Sequence, residues 1–153
     1  MIAFMETPAM SAQSLDPRNA AMLESVLIGS PVARALGIRF DVVKVDHVEL
    51  LLPFSMQNIT VGDMVHGGVI ATLIDVAGAA AAFTAVNLEV VKGGATGSLS
   101  IQYLAPAQSA NLRAVADVVR RGKRQVVTEV SVFAEKDAEA VLAAKALMST
   151  ALL

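Results

Sequence analysis

The 153-residue chain has no cysteine and no tryptophan, one tyrosine and two histidines; aromatics are 4% and charged residues 17% of it. Without cysteine there is no disulfide framework, no thiol nucleophile and no thiolate metal site. A formal net charge of -2, with no basic patch interleaved with aromatics, leaves no footprint for a nucleic-acid partner. Neither a P-loop nor a G-x-S-x-G nucleophile elbow occurs, and Gly93-Gly94-x-x-Gly97 lacks the following helix that phosphate binding needs. His47-x-Glu49 supplies two potential metal ligands, which do not make a site. Residues 1–10 carry no Lys or Arg, so they do not read as a secretory signal, and a cytoplasmic setting is expected.

What the chain has instead is small apolar side chains. Hydrophobic residues make up 55%, with 27 Ala and 21 Val among them. Chains of ~100–200 residues usually form one domain, and one this long can bury ~68–70% of its unfolded surface. The expected organisation is a lead-in and short helix over residues 1–30, then a single domain over residues 31–153. The apolar run 64–86 has the length of a membrane span, but Asp75 sits near its middle and neither flank is rich in Lys or Arg. A carboxylate at the bilayer centre costs ~2.5–3.5 kcal/mol on insertion scales, so a buried core helix over 64–84 is the simpler reading and no span is expected.

Around that helix the period is two. Asp16-Pro17 starts a helix that runs to about Ile28, and a further helical turn covers 32–36. Residues 38–42 and 48–52 alternate as two strands joined near Asp46-His47, and 53–63 read as loop. After a second loop over 87–97, strands follow at 98–103, 112–120, 125–134 and, despite an Ala-rich composition, 139–153. Strands segregated around one helix give an α+β fold with a curled antiparallel sheet covering that helix.

The chemistry is concentrated in His66-Gly67-Gly68-Val69-Ile70-Ala71-Thr72-Leu73-Ile74-Asp75. Two glycines at a loop-to-helix junction leave the first helical N–H groups open, where the helix dipole adds positive potential for a carbonyl oxygen turning anionic. Asp75 is the only ionisable residue between His66 and Glu89, and an apolar setting makes it costly without partners or a use. Plainer uses exist: the glycines ease a tight turn, His66 caps the helix, and Asp75 satisfies a buried backbone group. Gly67 and Asp75 lie ~12 Å apart along a helix axis, whereas a base must come within ~3 Å of the proton it takes. One helix therefore does not easily offer both groups to one carbonyl. Two antiparallel copies across a two-fold axis do, so a homodimer with shared sites is expected, with a tetramer as the larger alternative.

The stretch HGGVIATLID, preceded by a loop bearing Asn58 and followed by SLSIQYLAPA, resembles the PaaI-like acyl-CoA thioesterases of the hotdog-fold superfamily over roughly residues 36–150. The resemblance implies a hotdog fold and hydrolysis of an acyl-CoA, medium-to-long-chain or aromatic, with no metal or organic cofactor. Asp75 would be general base or nucleophile, the Gly67 N–H would polarise the thioester carbonyl, Gly68 would shape the turn, and His66 would support the loop. The family's Asn position, six residues before the His, holds Thr60 here, and Asn58 is the nearest Asn. Thr96, or else Ser98, would orient the water. The turn Arg121-Gly122-Lys123-Arg124, with Arg120 before it, resembles the segment that meets the nucleotide end of CoA. Phe54, Met56, Met64 and Phe83 are candidates for the acyl pocket. The alternatives are hydration or dehydration of an enoyl thioester, and a non-catalytic acyl-binding or assembly module.

Overall fold

The computed structural model describes residues 13–153; most of the lead-in expected ahead of the first helix lies outside them. Helix α1 (Pro17–Met22) opens as its sequence dictates, with Asp16 accepting the Arg18 N–H at 2.8 Å and Pro17 in the first turn. It continues as a π-helical segment, Leu23–Ile28, closed by the Gly29 N–H on the Glu24 carbonyl at 2.8 Å. A Cβ at residue 29 would run into the Ser25 carbonyl oxygen, which is why glycine stands there. Helix α2 (Pro31–Leu36) is capped by Ser30 and ends on Gly37 in the left-handed region at φ 72°.

Strands β1 (Arg39–Lys44) and β2 (His47–Leu52) form a hairpin. A two-stranded ribbon follows, β3 (Ile59–Val61) with β4 (Met64–Val65), and then helix α3 (Gly67–Phe83). Four strands complete the chain: β5 (Gly94–Tyr103), β6 (Asn111–Arg121), β7 (Gln125–Lys136) and β8 (Glu139–Leu152). The main sheet runs β1-β2-β6-β7-β8-β5 with every neighbouring pair antiparallel. It curls round α3, which touches β2, β5, β6, β7 and β8. This is the hotdog arrangement, and no helix among the described residues is long and apolar enough to cross a membrane.

The alternation of β2, β6 and β7 puts Val48, Leu50, Leu112, Ala114, Val126 and Val130 on the inner face with no exposure, against Leu73, Ile74, Ala77 and Ala81 of α3. Burying each Leu, Ile or Val side chain stabilises by ~1.5–3 kcal/mol. Small residues let the layers close up. A Cβ on Gly78 would overlap the Met148 sulfur and come within 2.8 Å of the Thr128 hydroxyl.

The core helix starts at Gly67, three residues later than the apolar run suggests. Val65 donates its N–H to Ala107 at 2.9 Å and His66 donates to Asn58 at 2.8 Å, so these backbone groups are already engaged as strand. Likewise the expected loop over 53–63 holds a short 3₁₀ turn and β3, and β5 begins at Gly94, inside the expected second loop. The Ala-rich last segment is a strand, as expected, because β7 and β5 pair with it on both sides.

The far end of α3 is closed by side chains from distant segments. Asn19 donates to the carbonyls of Phe83 (2.9 Å) and Val86 (3.0 Å). The Arg121 guanidinium donates to Ala82 (2.7 Å) and Ala81 (3.4 Å) while pairing with Asp46 at 2.7 Å. A cation at a helix C-terminus also meets the negative end of the dipole.

Candidate active site

At the N-terminus of α3 the orphan N–H groups are shared out. His66 is the N-cap, its exposed ring accepting the Gly68 N–H on Nδ1 at 2.8 Å, and its carbonyl takes the N–H groups of Val69 (2.9 Å) and Ile70 (3.2 Å). Gly68 is thus not the open donor that two bare glycines suggest. The N–H of Gly67 has no partner among the described residues, and the Tyr103 hydroxyl donates to the Gly67 carbonyl at 2.9 Å, tying this turn to β5. Asn58 lies alongside through its carbonyl bond to His66, whereas Thr60 lines a cavity of about 340 Å³ together with Gly67 and Tyr103.

Two turns along the helix, partly buried Asp75 accepts a hydrogen bond from the Thr96 hydroxyl at 2.5 Å. Both residues line a second cavity, of about 310 Å³. Thr96 faces α3 because of a β-bulge: Thr96 pairs with Thr150 but Ser98 pairs with Ser149, so Gly97 is an extra residue and the alternation inverts across it. Ser98 is thereby turned away from Asp75 and bonds Ser149 at 2.9 Å, which removes it as an alternative to Thr96. A partly buried carboxylate held by a hydroxyl donor has the form of a general base or nucleophile, and an unsatisfied N–H at a helix N-terminus that of an oxyanion donor. The two groups line different cavities of one chain.

The sequence profile of the thioesterase superfamily matches residues 62–141, more than half of the chain, and takes in both Gly67 and Asp75. The chain belongs to the thioesterase superfamily. It is 33% identical over 112 residues to a candidate esterase of Saccharolobus solfataricus, covering 73% of this chain and 71% of the relative. A candidate esterase of Halobacterium salinarum is 35% identical over 121 residues, covering 77% and 80%. Among solved structures, a thioesterase family protein from Silicibacter pomeroyi superposes with a TM-score of 0.83 at 25% identity, over 88% of this chain and 98% of that one. The E. coli PaaI protein from the phenylacetic acid degradation operon shares the fold, with a TM-score of 0.76 at 20% identity over 92% and 96%. The enzyme is a hydrolase of thioester bonds with a PaaI-like hotdog fold.

The cationic turn of this thioesterase is divided in its use. Arg121 points inward as the helix cap, so it is withdrawn from the set of cations expected to meet a nucleotide. Arg120, Lys123 and Arg124 are exposed and have no ion pair among the described residues, and Gly122 closes the turn through its N–H on Gln125 at 2.8 Å. The Arg124 carbonyl accepts from Leu152 at 2.9 Å, and Leu153 exchanges hydrogen bonds with Gly93 at 2.8 and 3.1 Å. The turn therefore adjoins the loop that walls the Asp75 cavity. Sequence reasoning missed Lys92 and Thr150 in that wall, and Tyr103 as the clamp on Gly67. Only Tyr103, the single tyrosine, carried a visible signal. Of the suggested acyl-pocket residues, Phe83 lines the Asp75 cavity and Met64 the Gly67 cavity, while Phe54 and Met56 line neither.

Proposed function

We propose that the chain hydrolyses an acyl-CoA thioester to the free acid and CoA in a site shared between two copies. The single observation that carries this is the separation of the groups: Asp75 and Thr96 line one cavity, and Gly67, whose N–H has no partner among the described residues, lines another. Two antiparallel α3 helices bring one copy's Asp75 opposite the other's Gly67. The Gly67 N–H then donates to the thioester oxygen and stabilises the charge that develops there. Asp75 attacks the carbonyl carbon, or takes a proton from a water that does. In the first route the C–S bond breaks to leave a mixed anhydride on Asp75, which a water then hydrolyses at the acyl carbon to restore the carboxylate; in the second the water adds directly and the C–S bond breaks. In both, the sulfur takes a proton from water and leaves as the CoA thiol, and the water oxygen ends in the acid. Thr96 orients Asp75 or its water. Arg120, Lys123 and Arg124 supply charge for the CoA phosphates, Arg bidentately and Lys as a point charge. A CoA substrate implies a cytoplasmic setting.

Asp75→Asn keeps the shape of the side chain and removes its basicity. Hydrolysis across a panel of acyl-CoA thioesters is expected to fall ~10²–10⁴-fold, the range for losing a positioned general base, with the thermal unfolding midpoint little changed. Turnover within a few-fold of wild type would overturn the assignment and favour a non-catalytic acyl-binding module.

A further inference from the structure

One strand reaches both groups of the candidate site. β5 ends the main sheet, paired with β8, and carries Thr96, whose hydroxyl holds Asp75. Its last residue is Tyr103, whose hydroxyl donates to the Gly67 carbonyl at 2.9 Å. The hydrolytic reading uses Thr96 and leaves Tyr103 without a part.

Gly67 is a poor place to keep a donor still. Glycine has the widest choice of backbone angles, and a second glycine follows it. A catalytic group is useful only when held within about 0.5 Å and 10–20° of its working geometry. The structure pins both peptide units that flank the Gly67 Cα. In the unit between His66 and Gly67, the His66 carbonyl takes the Val69 and Ile70 N–H groups at 2.9 and 3.2 Å, which polarises the Gly67 N–H at the other end of the same peptide. In the unit between Gly67 and Gly68, His66 Nδ1 accepts the Gly68 N–H at 2.8 Å and Tyr103 holds the carbonyl. The other partners belong to the turn itself; Tyr103 alone comes from another element. Its ring lies against the bare side of the glycine, since a Cβ there would stand 3.5 Å from Cε1 and 3.7 Å from the hydroxyl oxygen. Tyr103 is 53% exposed, so it adds little to the core, and the hydroxyl bond is its specific contact.

We propose that Tyr103 is a positioning residue for hydrolysis: its hydroxyl fixes the Gly67-Gly68 turn so that the Gly67 N–H meets the thioester oxygen as charge develops there. This rests on the hydrolytic reading of Asp75 and Gly67 and names the side chain that sets its oxyanion donor. Tyr103 acts through the Gly67 backbone and touches no reacting atom. Its effect therefore belongs to the transition state, where the bond to the oxyanion strengthens, and not to uptake of the ground-state thioester.

The test uses the full chain and the acyl-CoA that wild type turns over fastest. Tyr103→Phe keeps the ring and removes the hydroxyl, and is expected to lower kcat about tenfold, the kinetic equivalent of one hydrogen bond, with KM unchanged. Tyr103→Leu removes the ring as well. It is expected to show the same loss of kcat with a lower unfolding midpoint, so that kcat follows the hydroxyl and not the stability. In the Asp75→Asn background the same thioester, isotope-labelled at its carbonyl carbon, is read by infrared difference spectroscopy. Its bound carbonyl stretch is expected to lie below that of the free thioester and to move back toward it when Tyr103→Phe is added. A wild-type kcat in Tyr103→Phe, a change in KM alone, a kcat loss that scales with the midpoint across the two variants, or a carbonyl stretch indifferent to Tyr103→Phe overturns the positioning role. If Asp75→Asn is inactive while Tyr103→Phe is as fast as wild type, the role of Tyr103 fails and hydrolysis at Asp75 stands. If Asp75→Asn keeps wild-type turnover, the hydrolytic reading fails and the role of Tyr103 falls with it.

Discussion

Individual residues show how one residue type is put to opposite uses a few positions apart. Arg121 and Arg124 lie in the same turn, yet Arg121 is folded back onto the carbonyls of Ala81 and Ala82 and onto Asp46, while Arg124 is exposed. Arg121→Met keeps the aliphatic stem and removes the cap, and is expected to cost about 1–2 kcal/mol in chemical denaturation. Arg124→Ala is expected to raise KM for an acyl-CoA several-fold and leave the denaturation midpoint in place. Adjacent positives in a sequence do not reveal such a division, because it depends on where the turn meets the end of α3. Asp75 was legible for the opposite reason: a lone carboxylate in 22 otherwise non-ionisable residues between His66 and Glu89 stands out whatever the fold.

At the scale of elements, α3 and the sheet are fitted by small residues rather than large ones. Gly78 crosses directly over Met148 and Thr128, so Gly78→Ala forces the sulfur aside. It is expected to destabilise by about 1–3 kcal/mol despite the better helix propensity of alanine, read as a lowered melting temperature in calorimetry. On the outer face, Arg113 binds Asp41 (2.6 Å), Glu49 (2.8 Å) and Glu135 (2.7 Å), lacing β1, β2, β6 and β7 together, and these carboxylates hold its guanidinium charged. His47 sits in the same network, 2.7 Å from Asp117 and 3.2 Å from Glu49. The hydrogen bond to Asp117 raises its pKa above the usual 6.5, against the opposing effect of burial and with help from Glu49. A group whose folded pKa is raised favours folding fully below its unfolded pKa and loses that contribution as pH climbs through the folded value. Stability measured by denaturation is therefore expected to decline from about pH 6.5 upward in wild type, with a shallower slope in His47→Gln. The element plan itself was largely readable, since alternation in β2, β6 and β7 follows the sequence period. Boundaries set by partners were not: nothing local at Met64 shows that Val65 will pair with Ala107, and nothing at Ser98 shows that a bulge at Gly97 reverses its face.

For the whole molecule, the shared-site arrangement makes a prediction that no single chain can meet. Gly67→Pro removes the proposed oxyanion N–H at the first helical position, where proline suits the helix, and His66 already has the extended backbone that precedes proline, with φ -61° and ψ 133°. Gly67→Pro and Asp75→Asn are each expected to be inactive as homodimers. In a mixed dimer one site carries both defects and the other carries neither. Unfolding and refolding the two variants together is expected to restore about a quarter of wild-type activity, since half of the dimers are mixed and each has one intact site. A mixture as inactive as its parts would place both groups in one chain's site or assign the chemistry elsewhere.

The double closure of α3 also bears on the order in which the chain folds. Asn19 is separated from Phe83 by 64 residues, and Arg121 from Ala82 by 39. Each bond closes a long loop, so both are expected to form after the local helix and hairpin contacts. Interactions absent from the transition state act on the rate of escape from the native state rather than on the rate of reaching it. The two caps are thus expected to act as latches: removing either should speed unfolding more than it slows refolding, read by stopped-flow in both directions.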